Sequence, residues 1–200
     1  MDARIADPHG LYSRGMDDEK IRSVSVGEPP PEYREIVLEN YYAEWPRWFE
    51  RAEKQIRGAL GDAVLQLDHV GSTSVPGLAA KPLIDINLVV ADTTDESAYV
   101  PQLEAAGYVL RVREPDWYEH RLLRGKDPPV NLHVFPPGCE EVERMLVFRD
   151  HLRSNAEDRE LYERTKRELA AKEWKYVQNY ADAKTEVVRQ ILARAEGRGS

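Results

Sequence analysis

Apolar residues recur at helical spacing from Trp45 through Trp48, Phe49, Ala52, Ile56 and Ala59 to Leu60. This predicts an amphipathic helix capped by Gly61, with the two tryptophans as core anchors. Arg34–Leu38 reads as a short strand before it, and Val64–Leu67 as a strand after it. A second apolar run, Leu83–Val90, is interrupted only by Asp85 and Asn87. Asp92-Thr93-Thr94-Asp95 offers caps for a helix to about Ala106, which Gly107 ends. Three strand-like runs follow, YVLRVRE, WYEHRLLR and VNLHVF. Pro115-Asp116 separates the first two, and Gly125-Lys126-Asp127-Pro128-Pro129 the last two. From Glu140 to Ala195 the pattern is helical, with Ser154 or Asn155 as an internal cap and a break at Asn179–Asp182. Residues 1–31 are polar, without periodicity, and end in Glu28-Pro29-Pro30-Pro31, the composition of a flexible leader. The order is mixed α and β, then all helix: an α+β core over 32–138 and a helical region over 139–200 packed on it.

Alternation along the strands sorts the polar residues by face. Ile84, Ile86, Leu88 and Val90 share a core face, which leaves Asp85 and Asn87 together on the other. Asn131, His133 and Phe135 stand opposite Val130, Leu132 and Val134 in the same way. In the middle strand Trp117, Glu119, Arg121 and Leu123 share one face, and Tyr118, His120 and Leu122 the other. Should these strands be neighbours, Asp85, Asn87, Asn131 and His133 meet on one surface with either Glu119 and Arg121 or His120. A carboxylate inside a sheet is costly unless it is paired, hydrogen-bonded or metal-bound. Solvation at a sheet edge is the plainer explanation of the same pattern.

Composition narrows the classes of function. Apolar residues are 42% and charged residues 32% of 200, an ordinary globular balance. No apolar run reaches the ~20 residues that span a bilayer, and the first residues lack a secretory layout. A cytoplasmic location and no membrane are the expectations. A formal charge of −8 disfavours duplex nucleic acid, yet leaves room for a small anion in a locally basic pocket. The single cysteine, Cys139, allows neither an internal disulfide nor a cysteine zinc cluster and reads as a packing or surface thiol.

Gly71-Ser72-Thr73-Ser74 stands between a strand and a short turn, where small residues and free N–H groups can cradle phosphate. It is neither a Walker loop nor a dinucleotide-binding fingerprint, and no Gly-x-Ser-x-Gly nucleophile elbow is present. The longer run His69-Val70-Gly71-Ser72-Thr73-Ser74-Val75-Pro76-Gly77-Leu78-Ala79-Ala80-Lys81-Pro82, followed by Ile84-Asp85-Ile86, resembles the signature of the GrpB family. The resemblance extends through Glu119-His120-Arg121, Asn131-Leu132-His133-Val134-Phe135 and Phe148-Arg149-Asp150-His151-Leu152-Arg153. It ends with Tyr162 and Lys166, then Tyr180 and Lys184, and covers about residues 34–194.

GrpB proteins are similar to the nucleotidyltransferase superfamily, so the resemblance implies a nucleotidyltransferase-like mixed β-sheet flanked by helices. It implies transfer of a nucleotidyl group from a nucleoside triphosphate to a small acceptor with Mg²⁺ or Mn²⁺. On that layout Gly71, Ser72, Thr73 and Lys81 hold phosphate, with Arg121, Lys166 and Lys184 neutralising charge. Asp85, Asn87 and His133 form the metal set, and Asp85, His133 and Glu119 the catalytic set. The departure is Asn87, which stands where the superfamily places a second carboxylate and removes a full negative charge from a two-ion site. GrpB-like domains fused behind dephospho-coenzyme A kinases supply the alternative, a non-catalytic ligand-binding or partner-stabilising domain with a degenerate acidic motif.

Overall fold

The computed structural model of the chain describes residues 16–28, 30–33 and 35–197. Its elements are α1 (Asp18–Val24), α2 (Trp45–Leu60), β1 (Gln66–Val70), β2 (Ile84–Val89), α3 (Val100–Ala105), β3 (Tyr108–Glu114), β4 (His120–Lys126) and β5 (Pro129–Phe135). Four helices complete the chain: α4 (Glu140–Ser154), α5 (Ala156–Ala170), α6 (Val177–Asp182) and α7 (Thr185–Ala195). The strands form one mixed sheet in the order β1-β2-β5-β4-β3, with β2 and β5 parallel and every other pair antiparallel.

Helices cover both faces of the sheet. Ile84, Ile86 and Leu88 of β2 join Leu132 and Val134 of β5 and Leu123 of β4 on one face, sealed by Trp45, Ala52 and Ile56 of α2. Each such side chain taken from water contributes about 1.5–3 kcal/mol before entropy is counted. Pro46 occupies the first turn of α2, where its missing N–H costs nothing, and Gly61 ends the helix at φ +52°. On the other face Phe148 and Leu152 of α4, Tyr162 of α5 and Val188, Ile191 and Leu192 of α7 pack over Val70, Val89 and Phe135. Cys139 is buried in that cluster, and burial pushes its thiol up, as suits a packing residue. Asn155 caps α5, accepting the Asp158 N–H at 3.0 Å. Among the described residues no helix is long and apolar enough to cross a membrane.

Several element expectations change. Residues 35–38 form no strand; Glu39 alone bridges Ala80, and Arg34 lies outside the described residues. The middle strand begins at His120, because Trp117–Glu119 is a turn in which Tyr118 and Glu119 take positive φ. The stretch read as a leader holds α1, whose Ile21 and Val24 are buried with Met16 against Tyr176 and Val112. Residues 1–15 of it lie outside the described residues. The helix expected from Asp92 starts only at Val100, after a 3₁₀ turn at Glu96–Ala98.

Candidate functional site

The parallel register of β2 and β5 places Asp85 beside Asn131 and Asn87 beside His133. Antiparallel pairing of β4 with β5 sets Leu122 against His133 and Arg124 against Asn131. The face that carries Asp85 therefore takes His120, Leu122 and Arg124 from β4. It does not take Arg121, whose guanidinium bonds Glu96 at 2.7 Å on the far side. Glu119 sits on the preceding turn, 3.5 Å from Arg121, and the cavity lining includes neither residue. Of the two open alternatives, His120 faces the site. Glu119 as base and Arg121 as phosphate ligand are both displaced from it.

A cavity of about 270 Å³ opens over this face. Gly71, Ser72, Thr73, Lys81, Lys166 and Lys184 all line it, together with Asp85, Asn131 and His133. Gly71 allows the closest approach. Its backbone, φ +68° and ψ −174°, lies where only glycine is comfortable, and a Cβ there would come 2.4 Å from an Asp85 oxygen. The loop after it is fastened from the helical side. Arg153 of α4 donates twice to the Ser74 carbonyl and Arg149 to that of His69, while Glu163 of α5 accepts the Ala79 N–H. Thr73 reaches the wall, but its hydroxyl donates to the Leu83 carbonyl at 3.3 Å and meets His69 Nε2 at 3.0 Å. That leaves Ser72 as the hydroxyl turned to the cavity chemistry. His69 itself stacks on Phe49, and burial pushes it down to about 4, so it is a neutral packing residue near pH 7.

The lysines are the site's main charge. Lys166, 2% exposed, donates to Ser72 Oγ at 3.0 Å and to the Ala79 carbonyl. Lys184, 8% exposed, sits 4.8 Å above the Tyr180 ring, and Lys81 lies 5.8 Å from the same ring. Burial first, and neighbouring lysines second, push Lys166 down to about 6 and Lys184 to about 7. Burial lowers Lys81 too, against the pull of Asp85. A solvated face is the plainer expectation for Lys166 and Lys184. The tertiary fold instead turns both inward.

Asp85 keeps 30% exposure, toward the cavity. Burial would raise its carboxyl, but His133 in its imidazolium form, the amide of Asn131 at 3.0 Å and the charge of Lys81 together hold it below its usual value. Asn87 is 0% exposed, and neither its amide oxygen nor its nitrogen has a hydrogen-bond partner among the described residues. It lies beneath the cavity lining and is sealed from any ligand there.

Glu114, absent from the expected site, completes it together with His120. His120 Nδ1 meets Glu114 at 2.8 Å and its Nε2 meets His133 Nδ1 at 3.1 Å, while His133 Nε2 stands 3.8 Å from Asp85. A carboxylate accepts the Nδ1–H of His120, so His120 Nε2 accepts the Nδ1–H of His133. His133 then presents a bare Nε2 to the cavity. Glu114 reaches this face through a β-bulge between Leu110 and Val112, which turns the end of β3 over. Strict alternation cannot reveal that. The Pro115-Asp116 turn gave the one available signal, since it sets Glu114 opposite His120 in the hairpin.

The GrpB protein family profile matches residues 35–194, the span that contains this loop, both histidines and the three lysines. The chain belongs to the GrpB family. A UPF0157 protein of Halalkalibacterium halodurans is 56% identical over 178 residues, covering 89% of this chain and 91% of that protein. The crystal structure of the conserved protein GrpB from Enterococcus faecalis superposes with a TM-score of 0.69 at 27% identity, covering 81% of this chain and 98% of that one. A Mycolicibacterium paratuberculosis protein named dephospho-CoA kinase is 30% identical over 178 residues; the match covers 76% of this chain and only 44% of the kinase.

Proposed function

We propose that this GrpB chain is a phosphate-handling enzyme of nucleotidyltransferase type. It grips the phosphates of a small substrate, a nucleoside triphosphate by the layout its loop resembles, and transfers the nucleotidyl group to a small acceptor. One observation carries the reading: Lys81, Lys166 and Lys184 share a single cavity with the Gly71–Ser72 loop, Asp85 and His133. Lys166 and Lys184, kept partly neutral by burial, regain their protons beside an arriving anion, and with Lys81 they outnumber the Asp85 carboxylate.

The donor set bears on the metal. Asn87 is sealed, Glu119 is outside the cavity lining, and among the described residues no three His, Cys, Asp or Glu side chains are grouped so that they could hold an ion. These residues do not fit a two-ion clamp. Magnesium or manganese would find one carboxylate beside the lysines, Asp85, with Glu114 engaged by His120, and otherwise the substrate's own oxygens. In this proposal the lysines supply the charge that a pair of ions supplies elsewhere.

The acceptor hydroxyl gives its proton to His133 Nε2, and its oxygen bonds to the α-phosphorus. The bond from that phosphorus to the departing pyrophosphate breaks, and Lys166 and Lys184 take up the leaving charge. Asp85, 3.8 Å from Nε2, favours the imidazolium that forms. Glu114 and His120 are positioning residues, because they fix which nitrogen of His133 is bare.

Release of pyrophosphate from a nucleotide panel, assayed with candidate small acceptors, tests the reading. Glu114→Gln is expected to slow release about tenfold with KM unchanged, the loss typical of an outer hydrogen-bond partner. Equal loss of kcat and affinity would assign Glu114 a purely structural role. A second reading is favoured by the match to the dephospho-CoA kinase, of which the matching segment is less than half. There the same cavity binds a phosphate-bearing ligand without turning it over. Saturable nucleotide binding with no pyrophosphate release by the wild type would select it.

A further inference from the structure

We propose that the cavity accepts a phosphate ester whose esterified body is small and apolar or aromatic, the phosphate at the lysines and the body beneath α1. The inference rests only on the reading of the lysine end as a phosphate seat, and it makes an apolar-bodied ester a better fit to the enclosed end than the polar ribose of a nucleotide.

Sheet order separates the two ends. The Gly71–Ser72 loop and Asp85 belong to the β2 end of the face, whereas Val112 lies on β3, three strands away across β5 and β4. At about 4.8 Å per strand that is roughly 14 Å. Between them the lining passes from Asn131 and His133 to Leu122 and then Val112. The bulge that brings Glu114 to this face also turns Val112 into the cavity. Met16, Ile21 and Val24 close the apolar end from above, packing with Val112 and Tyr176 as a cluster separate from the two main cores.

This wall is fixed in place. Ser25 bridges Val112, Val26 N–H donates to the Arg111 carbonyl at 2.8 Å, and Tyr33 N–H donates to the Lys175 carbonyl at 2.7 Å. Polar groups nearby are taken up by one another: Arg111 donates to the Glu28 carbonyl, and the Tyr176 hydroxyl donates to Glu32 and accepts from Arg22. At the α1 end a ligand body meets the methyl and methylene groups of Met16, Ile21, Val24 and Val112, with Ser25 and Arg111 at the margin, so an apolar body loses less on leaving water than a polar one. Met16, Ile21 and Val24 lie before residue 35, where the family profile begins, and Val112 and Tyr176 within it. A cavity of about 270 Å³ lies just under the ~300–1,000 Å³ of ordinary small-molecule sites, so the enclosed body is small.

The experiment compares inorganic phosphate, glycerol phosphate, phenyl phosphate and phenol by calorimetry on the full chain. Phenyl phosphate is expected to bind at least tenfold more tightly than glycerol phosphate. Tenfold is about 1.4 kcal/mol, the worth of roughly 55 Å² of apolar area. Ile21→Gln and the near-isosteric Val24→Thr are each expected to shrink that ratio while leaving inorganic phosphate within twofold of wild type. Val24→Thr keeps the test open should Ile21→Gln unfold α1. Equal binding of the two esters by wild type, or a ratio that neither variant changes, would overturn the apolar wall while the phosphate seat stands. Phenol binding that weakens in Val24→Thr, with no binding of inorganic phosphate, would support the wall and reject the seat.

Discussion

Gly71→Ala is expected to lower the melting temperature by roughly 6–12 °C and to abolish ligand binding. Two independent penalties meet at that position. The backbone at φ +68°, ψ −174° is essentially reserved for glycine, at about 1–3 kcal/mol for another residue. A Cβ would also fall 2.4 Å from the Asp85 carboxylate and 3.0 Å from its Cβ. Asp85 cannot withdraw freely, because Asn131 holds its oxygen at 3.0 Å and β2 is paired on both sides. A combined cost of about 3 kcal/mol in a chain this size corresponds to the stated shift. Thermal denaturation followed by circular dichroism measures it. Gly77→Ala is the control: that glycine has φ +80°, but a Cβ there meets nothing within 4 Å, so only the backbone penalty applies. Equal losses at the two positions would show that the contact with Asp85 carries no weight.

Lys184→Met is expected to stabilise the unliganded protein at neutral pH and to weaken phosphate binding between thirtyfold and several-thousandfold. The first effect follows from linkage. Lys184 titrates at about 7 in the fold, against about 10.4 in the unfolded chain. Across that interval the unfolded chain binds a proton that the native chain does not, so wild-type stability rises as pH rises from about 7 toward 10. Lys166, at about 6, adds a rise that begins lower. Each lysine contributes about 1.4 kcal/mol for every pH unit over which the two states differ by its full proton. Removing Lys184 removes its share of that slope and its desolvation cost, and Met fills a similar volume. The second effect follows because a buried charge pair that loses one partner costs about 2–5 kcal/mol. Urea denaturation from pH 6 to 10 reads the slope. A Lys184→Met profile parallel to wild type would contradict the burial assigned to that ammonium.

Much of the site was legible from strand period alone. Asp85, Asn131 and His133 fall on one face because their strands are regular, and the small-residue loop marked where the chain could approach them. Register was not legible. Whether the odd or even residues of β4 join that face depends on Leu122 pairing with His133, which nothing inside either strand dictates. Glu114 stayed hidden because a bulge reverses the alternation that a sequence reading must assume. Lys166 and Lys184 were legible only through the family resemblance, because lysine on a helix or turn is almost always solvated, and only the packing of the helical region over the loop turns them inward. Asn87 lies on the face that alternation predicts, but it is fully buried and outside the cavity lining. Met16, Ile21 and Val24 lie in a stretch too short and polar for periodicity to register a seven-residue helix.

The central claim is that the lysine-lined cavity is an anion site kept partly neutral until its ligand arrives. Calorimetric titration of wild type with a nucleoside triphosphate at pH 7.5, in two buffers of unequal ionisation enthalpy, tests it directly. The expected result is saturable binding with net proton uptake, as Lys166 and Lys184 regain their protons beside the phosphates. Absence of heat in both buffers, or binding with no proton uptake, would contradict the account.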